Sequence, residues 1–217
     1  MDAIETHDMG NGIFVEVHYD EHGEVSDPRD NDNLGVMACA HGRYTLGDED
    51  AAKLYPEAES KAELVEAIKE NHPGASHFHA LWLYDHSGIT MRMDSDWAMD
   101  AAHWDSGVVG LIFTDDKQRE VCGTPEHLID EVLEAEVNEY ASWLEGAVYG
   151  YVVKRKVWAQ TLEVVPGKER SQWPVLRHDH RHDEVLDSCW GFVGETEYAL
   201  AEGKAAAQHY VDEAAKA

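Results

Sequence analysis

Two short stretches of this chain place an aromatic residue, an Asp, a Ser and a Gly directly before apolar residues. They are YDHSGITM at residues 84–91 and WDSGVVGLIF at residues 104–113. Asp and Ser side chains bond to nearby backbone groups in turns, and Gly readily adopts the positive φ that many turns require. These stretches therefore predict turns at strand ends, where carboxylate, imidazole and hydroxyl groups would be available for binding or acid–base chemistry.

Two further stretches have a similar composition. DSCWG at 187–191 adds a cysteine, and HGRY at 41–44, followed by LGD, adds an imidazole and a guanidinium. Each turn could simply close its own bend, but if the four strand ends converge they would surround one pocket. The side chains predicted to line this pocket are His41, Arg43, Asp85, His86, Ser87, Trp104, Asp105, Ser106, Asp187, Cys189 and Trp190.

The same residues also permit catalysis. Cys189 would be a nucleophile if His86 or His41 acted as its base, and Asp105 could take part in acid–base chemistry. His86, Asp105 and Cys189 are therefore the catalytic candidates of an alternative function, a small metal- or cysteine-assisted hydrolase. A cysteine beside a tryptophan at a strand end is, however, more often a small buried apolar residue.

Signals for a metal or another cofactor are weak. His178, His180 and His182 alternate within RHDHRHDE, so in an extended segment their imidazoles would share one face and could bind a divalent metal. We expect an exposed polar loop instead, with no cofactor. The sequence has no P-loop, GxGxxG, HExxH, GxSxG or CxxC motif, which argues against the large enzyme classes.

The formal net charge of −27 is the strongest signal in the composition. We expect no direct binding to nucleic acid, because such binding depends on Lys and Arg neutralising phosphates. The acids are dispersed along the chain, which favours a solvated surface adapted to concentrated salt. The remaining alternative is an acidic decoy for a basic or nucleic-acid-binding host protein.

The sequence also predicts a soluble, intracellular protein. No apolar run is long enough to span a bilayer, and the first twenty residues carry five acids and no Lys or Arg, unlike a secretory signal. Three cysteines without metal-site spacing favour a reducing compartment. We expect one domain over residues 1–217, no membrane association, and a host protein or small molecule as partner; a homo-oligomer is a further possibility.

Apolar periodicity predicts an α+β fold, with an antiparallel sheet and two or three helices packed on one face. The strands between residues 77 and 113 are predicted to form a meander. Residues 166–184 are predicted to be an irregular His-rich loop. Strands are predicted at 12–21, 34–41, 77–84, 89–93 and 108–113, a long strand or hairpin at 148–165, and a strand followed by a turn within 184–194. Helices are predicted at 59–71, 125–145 and 195–217.

Five motifs together resemble a family of small proteins encoded by tailed phages and by viruses of halophilic archaea. They are HGRYTLGD (41–48), YDHSGITM (84–91), WDSGVVGLI (104–112), EVNEYASWLEGAVYG (136–150) and DSCWGF (187–192). The chain departs from the family pattern at Ala147, where the family often has Asp, and in the His-rich segment. The resemblance implies a virus-encoded, non-structural accessory protein in the host cytoplasm, and a halophilic host would account for the acidic surface. Viral origin is also the only basis for one expected role, interference with host defence or metabolism.

Overall fold

A computed structural model describes residues 2–21, 26–95, 100 and 102–216, and it describes the backbone alone for residues 177, 178, 180 and 181. The chain packs as two compact units. The terminal unit comprises residues 1–24 and 148–217, and the central unit comprises residues 25–147. The α+β class is confirmed, but each unit has its own sheet, whereas one sheet was predicted. A single domain over residues 1–217 stays a prediction.

In chain order, the strands are β1 (Glu5–Gly10), β2 (Ile13–Tyr19), β3 (Val36–Cys39), β4 (Glu49–Asp50), β5 (Ser76–Asp85), β6 (Ile89–Met93), β7 (Ser106–Thr114), β8 (Val148–Leu162) and β9 (Val175–Val193). The α-helices are α1 (Ala51–Leu54), α2 (Lys61–Asn71), α3 (Asp116–Cys122), α4 (Ile129–Leu144) and α5 (Thr196–Ala214). Short 3-10 helices lie at Pro28–Asp30, Glu126–Leu128 and Arg170–Gln172.

The central unit has helices on both faces of its sheet, whose strand order is β4-β3-β7-β5-β6. Ile112 of β7 belongs to the core cluster that contains Leu133 of α4, while Leu111 belongs to the cluster that contains Ile68 of α2. Successive side chains of a strand point to opposite faces, so a strand covered on both faces is apolar throughout. This explains the continuous apolar run in β7, and it corrects the prediction that the helices pack on one face.

The strands of the central unit do not form the predicted meander. β7 pairs antiparallel with β5, so β5 lies between β6 and β7. In a meander, β7 would run parallel to β5 and begin at the opposite end of the sheet. The observed pairing places the start of β7 beside the end of β5, with Tyr84 opposite Ser106. The turn that begins with Tyr84-Asp85 and the turn that begins with Trp104-Asp105, here called the two aromatic-Asp turns, therefore lie at the same end of the sheet.

The terminal unit contains a sheet of order β1-β2-β8-β9 with α5 packed against it. Gly203 of α5 allows this close packing, because a Cβ at this position would lie 2.6 Å from a methyl carbon of Val15. β9 begins at Val175, so much of the segment predicted to be a His-rich loop is a strand. Exposed residues on both faces hide the alternation that usually reveals a strand.

The described helices include none long and apolar enough to cross a membrane.

Candidate functional site

The ends of β3 and β5 and the start of β7 lie together at one end of the central sheet. The Asp85 amide donates a hydrogen bond to the Asp105 carbonyl oxygen (2.7 Å), which joins the two aromatic-Asp turns. β3 is antiparallel to β7, and its exit leads into HGRY at the same end. β3 approaches β7 closely because Gly110 has no side chain; a Cβ there would lie 2.1 Å from the Ala38 carbonyl oxygen.

A pocket of about 420 Å³ lies between these three segments. Small and apolar residues of β5 and β7, together with Ala40 directly after β3, form part of its wall. The predicted site residues that line it are His41, Arg43, Asp85, Trp104, Asp105 and Ser106. The structure therefore brings together, within the central unit, the turn residues of three of the four stretches singled out in the sequence.

Arg43 and Asp85 form an ion pair at this pocket. The Asp85 carboxylate also accepts a hydrogen bond from the Tyr44 hydroxyl (3.3 Å), and it is mostly buried, whereas 71% of the Arg43 side chain is exposed. The guanidinium lies over the Tyr44 ring, 5.5 Å from its centroid, and His41 stacks on that ring at 4.9 Å. Tyr44 thus holds a cation and an imidazole beside a carboxylate.

A second imidazole–carboxylate pair lies in the adjoining turns. His86 Nδ1 is 3.1 Å from the Asp105 carboxylate, and both side chains are exposed. Ser87 follows in the left-handed region, with φ of 60°, so the tight turn after β5 is formed by Ser87 and Gly88 together. Asp85 thus pairs with Arg43 and Asp105 pairs with His86, and both carboxylate residues line the pocket.

Asp100 organises the second turn, and the sequence analysis missed it. Its carboxylate accepts hydrogen bonds from the backbone amides of Trp104 and Asp105, both at 3.0 Å. Desolvation would raise the pKa of Asp100, but these bonds and one from the Ser106 hydroxyl outweigh it and lower the pKa. The turn leaves 86% of the Trp104 surface exposed beside the pocket. An Asp a few residues before WDSG is the signal that could have identified this role.

The other three predicted site residues belong to the terminal unit. Asp187, Cys189 and Trp190 lie inside β9, not at a strand exit as predicted. Trp190 covers Gly150, where a Cβ would lie 2.1 Å from the indole ring, so this close contact explains the pairing of VYG with DSCWG. Cys189 is exposed. That these three residues line the same pocket, and that Cys189 takes part in catalysis, stay predictions.

A buried ion cluster anchors the loop that carries His41 and Arg43. The Arg29 guanidinium binds the carboxylates of Asp48 (2.7 Å) and Glu136 (3.1 Å) and the Gly35 carbonyl oxygen (2.6 Å). Burial would lower the pKa of Arg29, but the two carboxylates outweigh it and raise the pKa. Asp48 also accepts a hydrogen bond from the Met37 amide (2.6 Å). The Asp of LGD and the first Glu of EVNEY, both from the resemblance motifs, thus have a structural role here.

Three carboxylates surround two imidazoles at the start of β5. His77 Nδ1 lies 2.6 Å from Asp130 and His79 Nδ1 lies 2.5 Å from Asp94. His77 has φ of 54°, which directs its side chain into this cluster at a bulge in the β5–β7 pairing. Burial would lower the pKa of His77, but Asp130 and Glu126 outweigh it and raise the pKa. The bonds from His77 and His79 lower the pKa of Asp130.

Because of this cluster, we expect the free energy of unfolding to decrease as the pH rises above 6.5. A raised His77 pKa contributes stability that is complete below the ordinary value of 6.5 and is lost as the pH rises through the raised value. The lowered Asp130 pKa contributes stability that is lost as the pH falls below 3.8. We expect His77→Asn to abolish the decrease in the free energy of unfolding above pH 6.5, a decrease of about 1 kcal/mol or less. Asn is chosen because it tolerates positive φ.

Urea unfolding at several pH values measures this effect. His209→Gln removes an exposed imidazole of α5 and should leave the pH profile unchanged. An identical decline in His77→Asn and the wild-type protein would exclude the cluster as its cause.

Among the residues with described side chains, no group of three or more His, Cys, Asp or Glu has the arrangement of a metal site. The predicted metal candidates His178 and His180 lie outside these residues, although the backbone places both in β9 with His182.

Comparisons of the chain with protein-family models, curated proteins and solved structures found no match.

Proposed function

We propose that this chain is a virus-encoded, non-structural accessory protein that binds a small polar ligand in the pocket of the central unit. The observation that carries the proposal is the convergence of Arg43, Asp85, Trp104 and Asp105 around one cavity of about 420 Å³. Binding sites commonly combine a concave surface with a few convergent polar groups. Viral origin, action in the host cytoplasm and interference with host defence enter through the resemblance of the five motifs.

The chemistry of the pocket specifies the kind of ligand. Arg43 and His41 can donate hydrogen bonds to an anionic or carbonyl group, while Asp85 and Asp105 can accept them from hydroxyl or amino groups. The exposed Trp104 ring offers an apolar face on which a flat part of a ligand can stack. A small molecule with both donors and acceptors and a planar portion satisfies all three features.

The Arg43–Asp85 pair is central to recognition. With 71% of its side chain exposed, Arg43 can turn toward a ligand while Asp85 stays fixed by Tyr44. Asp85→Asn removes the charge that positions the guanidinium and preserves the volume of the side chain. We expect this variant to weaken ligand binding by about 2 kcal/mol, roughly thirtyfold, as is typical of an interaction with a charged group.

The test is to purify the full chain from host cells under native conditions and to identify the small molecules released on denaturation by mass spectrometry. The wild-type protein should release a polar compound in near-stoichiometric amount, and Asp85→Asn should release far less. Lys69→Gln is the matched control, because it removes a different exposed ion pair, with Glu66, outside the pocket. Equal recovery from all three proteins, or no compound from the wild-type protein, would contradict the proposal.

A further inference from the structure

Positive charge is concentrated in one segment of this acidic chain. Residues 154–181 contain seven of the 17 Lys and Arg residues but three of the 44 Asp and Glu residues. This segment comprises the distal parts of β8 and β9 and the loop between them. The expectation that the chain does not bind nucleic acid was based on its total charge, which averages over two regions of opposite sign.

The segment forms a two-stranded ribbon that extends beyond its sheet. The last residue of β8 that pairs with β2 is Arg155, opposite Ile13. From Val157 to Leu162, β8 pairs with β9 alone among the described strands. At about 3.3 Å per residue, these six residues carry the end of the ribbon roughly 20 Å beyond the edge of β2. This distance exceeds the screening length of about 8 Å at physiological salt, so repulsion by the acids of β1 and β2 is weak at the end of the ribbon.

The loop at the end of the ribbon folds over one face and forms a groove of about 660 Å³. Trp158, Gln160, Arg170 and Trp173 contribute to its lining. The Trp173 indole N–H donates a hydrogen bond to the Lys168 carbonyl oxygen (3.2 Å), which fixes the ring relative to the loop. Trp158 is 53% exposed although it is a large aromatic residue. The groove therefore presents two indole rings to solvent.

Two basic residues belong to the loop of the groove: Arg170 lines the groove itself, and Lys168 accepts the Trp173 indole hydrogen bond through its carbonyl oxygen. Among the described residues, neither the Lys168 ammonium nor the Arg170 guanidinium has an ion-pair partner, and both side chains are exposed. Other basic residues of the segment differ in this respect, because Lys154 pairs with Glu16 and Arg155 pairs with Glu184. Lys168 and Arg170 are thus available to an external anion.

We propose that this groove binds single-stranded nucleic acid. Proteins that bind single strands combine cations along the phosphate backbone with aromatic rings on which successive bases stack. Lys168 and Arg170 would contact phosphates, and Trp158 and Trp173 would stack on bases. A duplex is a weaker ligand, because its bases are already stacked on one another. The proposal is independent of the small-ligand pocket, which lies in the other unit.

Fluorescence anisotropy of the full chain with labelled oligo-dT and oligo-U tests the proposal. We expect binding that weakens as salt rises, and weaker binding to a duplex of the same length. Lys168→Gln with Arg170→Gln should reduce affinity at low salt at least about tenfold and flatten the salt dependence. Trp158→Leu should reduce affinity about tenfold and reduce the quenching of tryptophan fluorescence by oligo-dT.

Lys117→Gln is the matched control, because Lys117 is an exposed lysine of α3 outside this segment; it should leave affinity nearly unchanged. Circular dichroism of each variant confirms folding, and the two surface glutamine substitutions do not alter the core. Absence of binding at low salt, equal loss in Lys117→Gln, or tighter binding to the duplex would overturn the proposal. A different result would also overturn it: the protein self-associates in light scattering, Lys168→Gln with Arg170→Gln abolishes this self-association, and oligonucleotides do not bind. The ribbon would then bind the acidic surface of another copy of the chain.

Discussion

Arg29→Met should reduce the free energy of unfolding by about 3 to 5 kcal/mol, which is the usual cost of removing one partner from a buried ion cluster. Only 4% of the Arg29 side chain is exposed, and its loss leaves the carboxylates of Asp48 and Glu136 close together without a counter-charge. Asp48 also accepts a hydrogen bond from the Met37 amide. We therefore expect the loop with His41 and Arg43 to be displaced, and the affinity of the pocket for the proposed ligand to fall. Chemical denaturation followed by fluorescence measures the loss of stability.

Two further variants isolate the cause of this loss. Adding Glu136→Gln to Arg29→Met should restore part of the stability, since it removes one of the unpaired charges. Arg155→Met breaks an exposed Arg–Glu pair and should cost about 1 kcal/mol or less. If Arg29→Met cost no more than Arg155→Met, the buried cluster would not be the anchor of this loop.

Gly110→Ala, which adds one methyl group to β7 next to the pocket residue Val109, should be strongly destabilising. Its Cβ would lie 2.1 Å from the Ala38 carbonyl oxygen and 2.8 Å from the Cys39 Cα. These atoms belong to the backbone of β3, so they cannot rotate away, and the strand itself must move. We expect destabilisation of about 3 kcal/mol, the upper end of the range for overpacking, and loss of ligand binding in the protein that still folds.

Gly107→Ala is the matched control within the same strand. A Cβ at Gly107 would meet no atom within 4 Å, so its effect on the free energy of unfolding should stay within about 0.5 kcal/mol. Equal destabilisation by the two substitutions would show that loss of glycine flexibility, and not the close approach of β3 to β7, determines the result.

The elements with a strong local pattern could be predicted from the sequence. β6 was predicted at residues 89–93 and spans Ile89–Met93, and Gly146 ends the turn after α4 with φ of 74°. The start of α4 was predicted too early, because a 3-10 turn at Glu126–Leu128 precedes the α-helix. Local signals identify an element and its approximate limits, whereas hydrogen bonding beyond the element determines how its first turn winds.

Pairing and burial could not be predicted from one sequence. Periodicity contains no information on whether β7 pairs with β5 or β6, yet that choice places Asp85 beside Asp105. Arg29 lies in a short 3-10 helix within a polar segment, and nothing in the local sequence marks its side chain as buried. The basic ribbon had a visible signal, since the sign of the charge changes at residue 154, but the net charge of the whole chain concealed it. Long-range pairing and the distribution of charge therefore required the folded structure.

The measurement that most directly tests the ligand pocket is the mapping of backbone amide chemical shifts in the isotope-labelled full chain. The probe is the low-molecular-mass fraction of a host-cell extract, added to the wild-type protein and to Asp85→Asn. We expect shifts concentrated at residues 40–43, 84–86 and 104–109 of the wild-type protein, and small shifts in the variant. Shifts confined to the terminal unit, or the same shifts in both proteins, would contradict a ligand site between β3, β5 and β7.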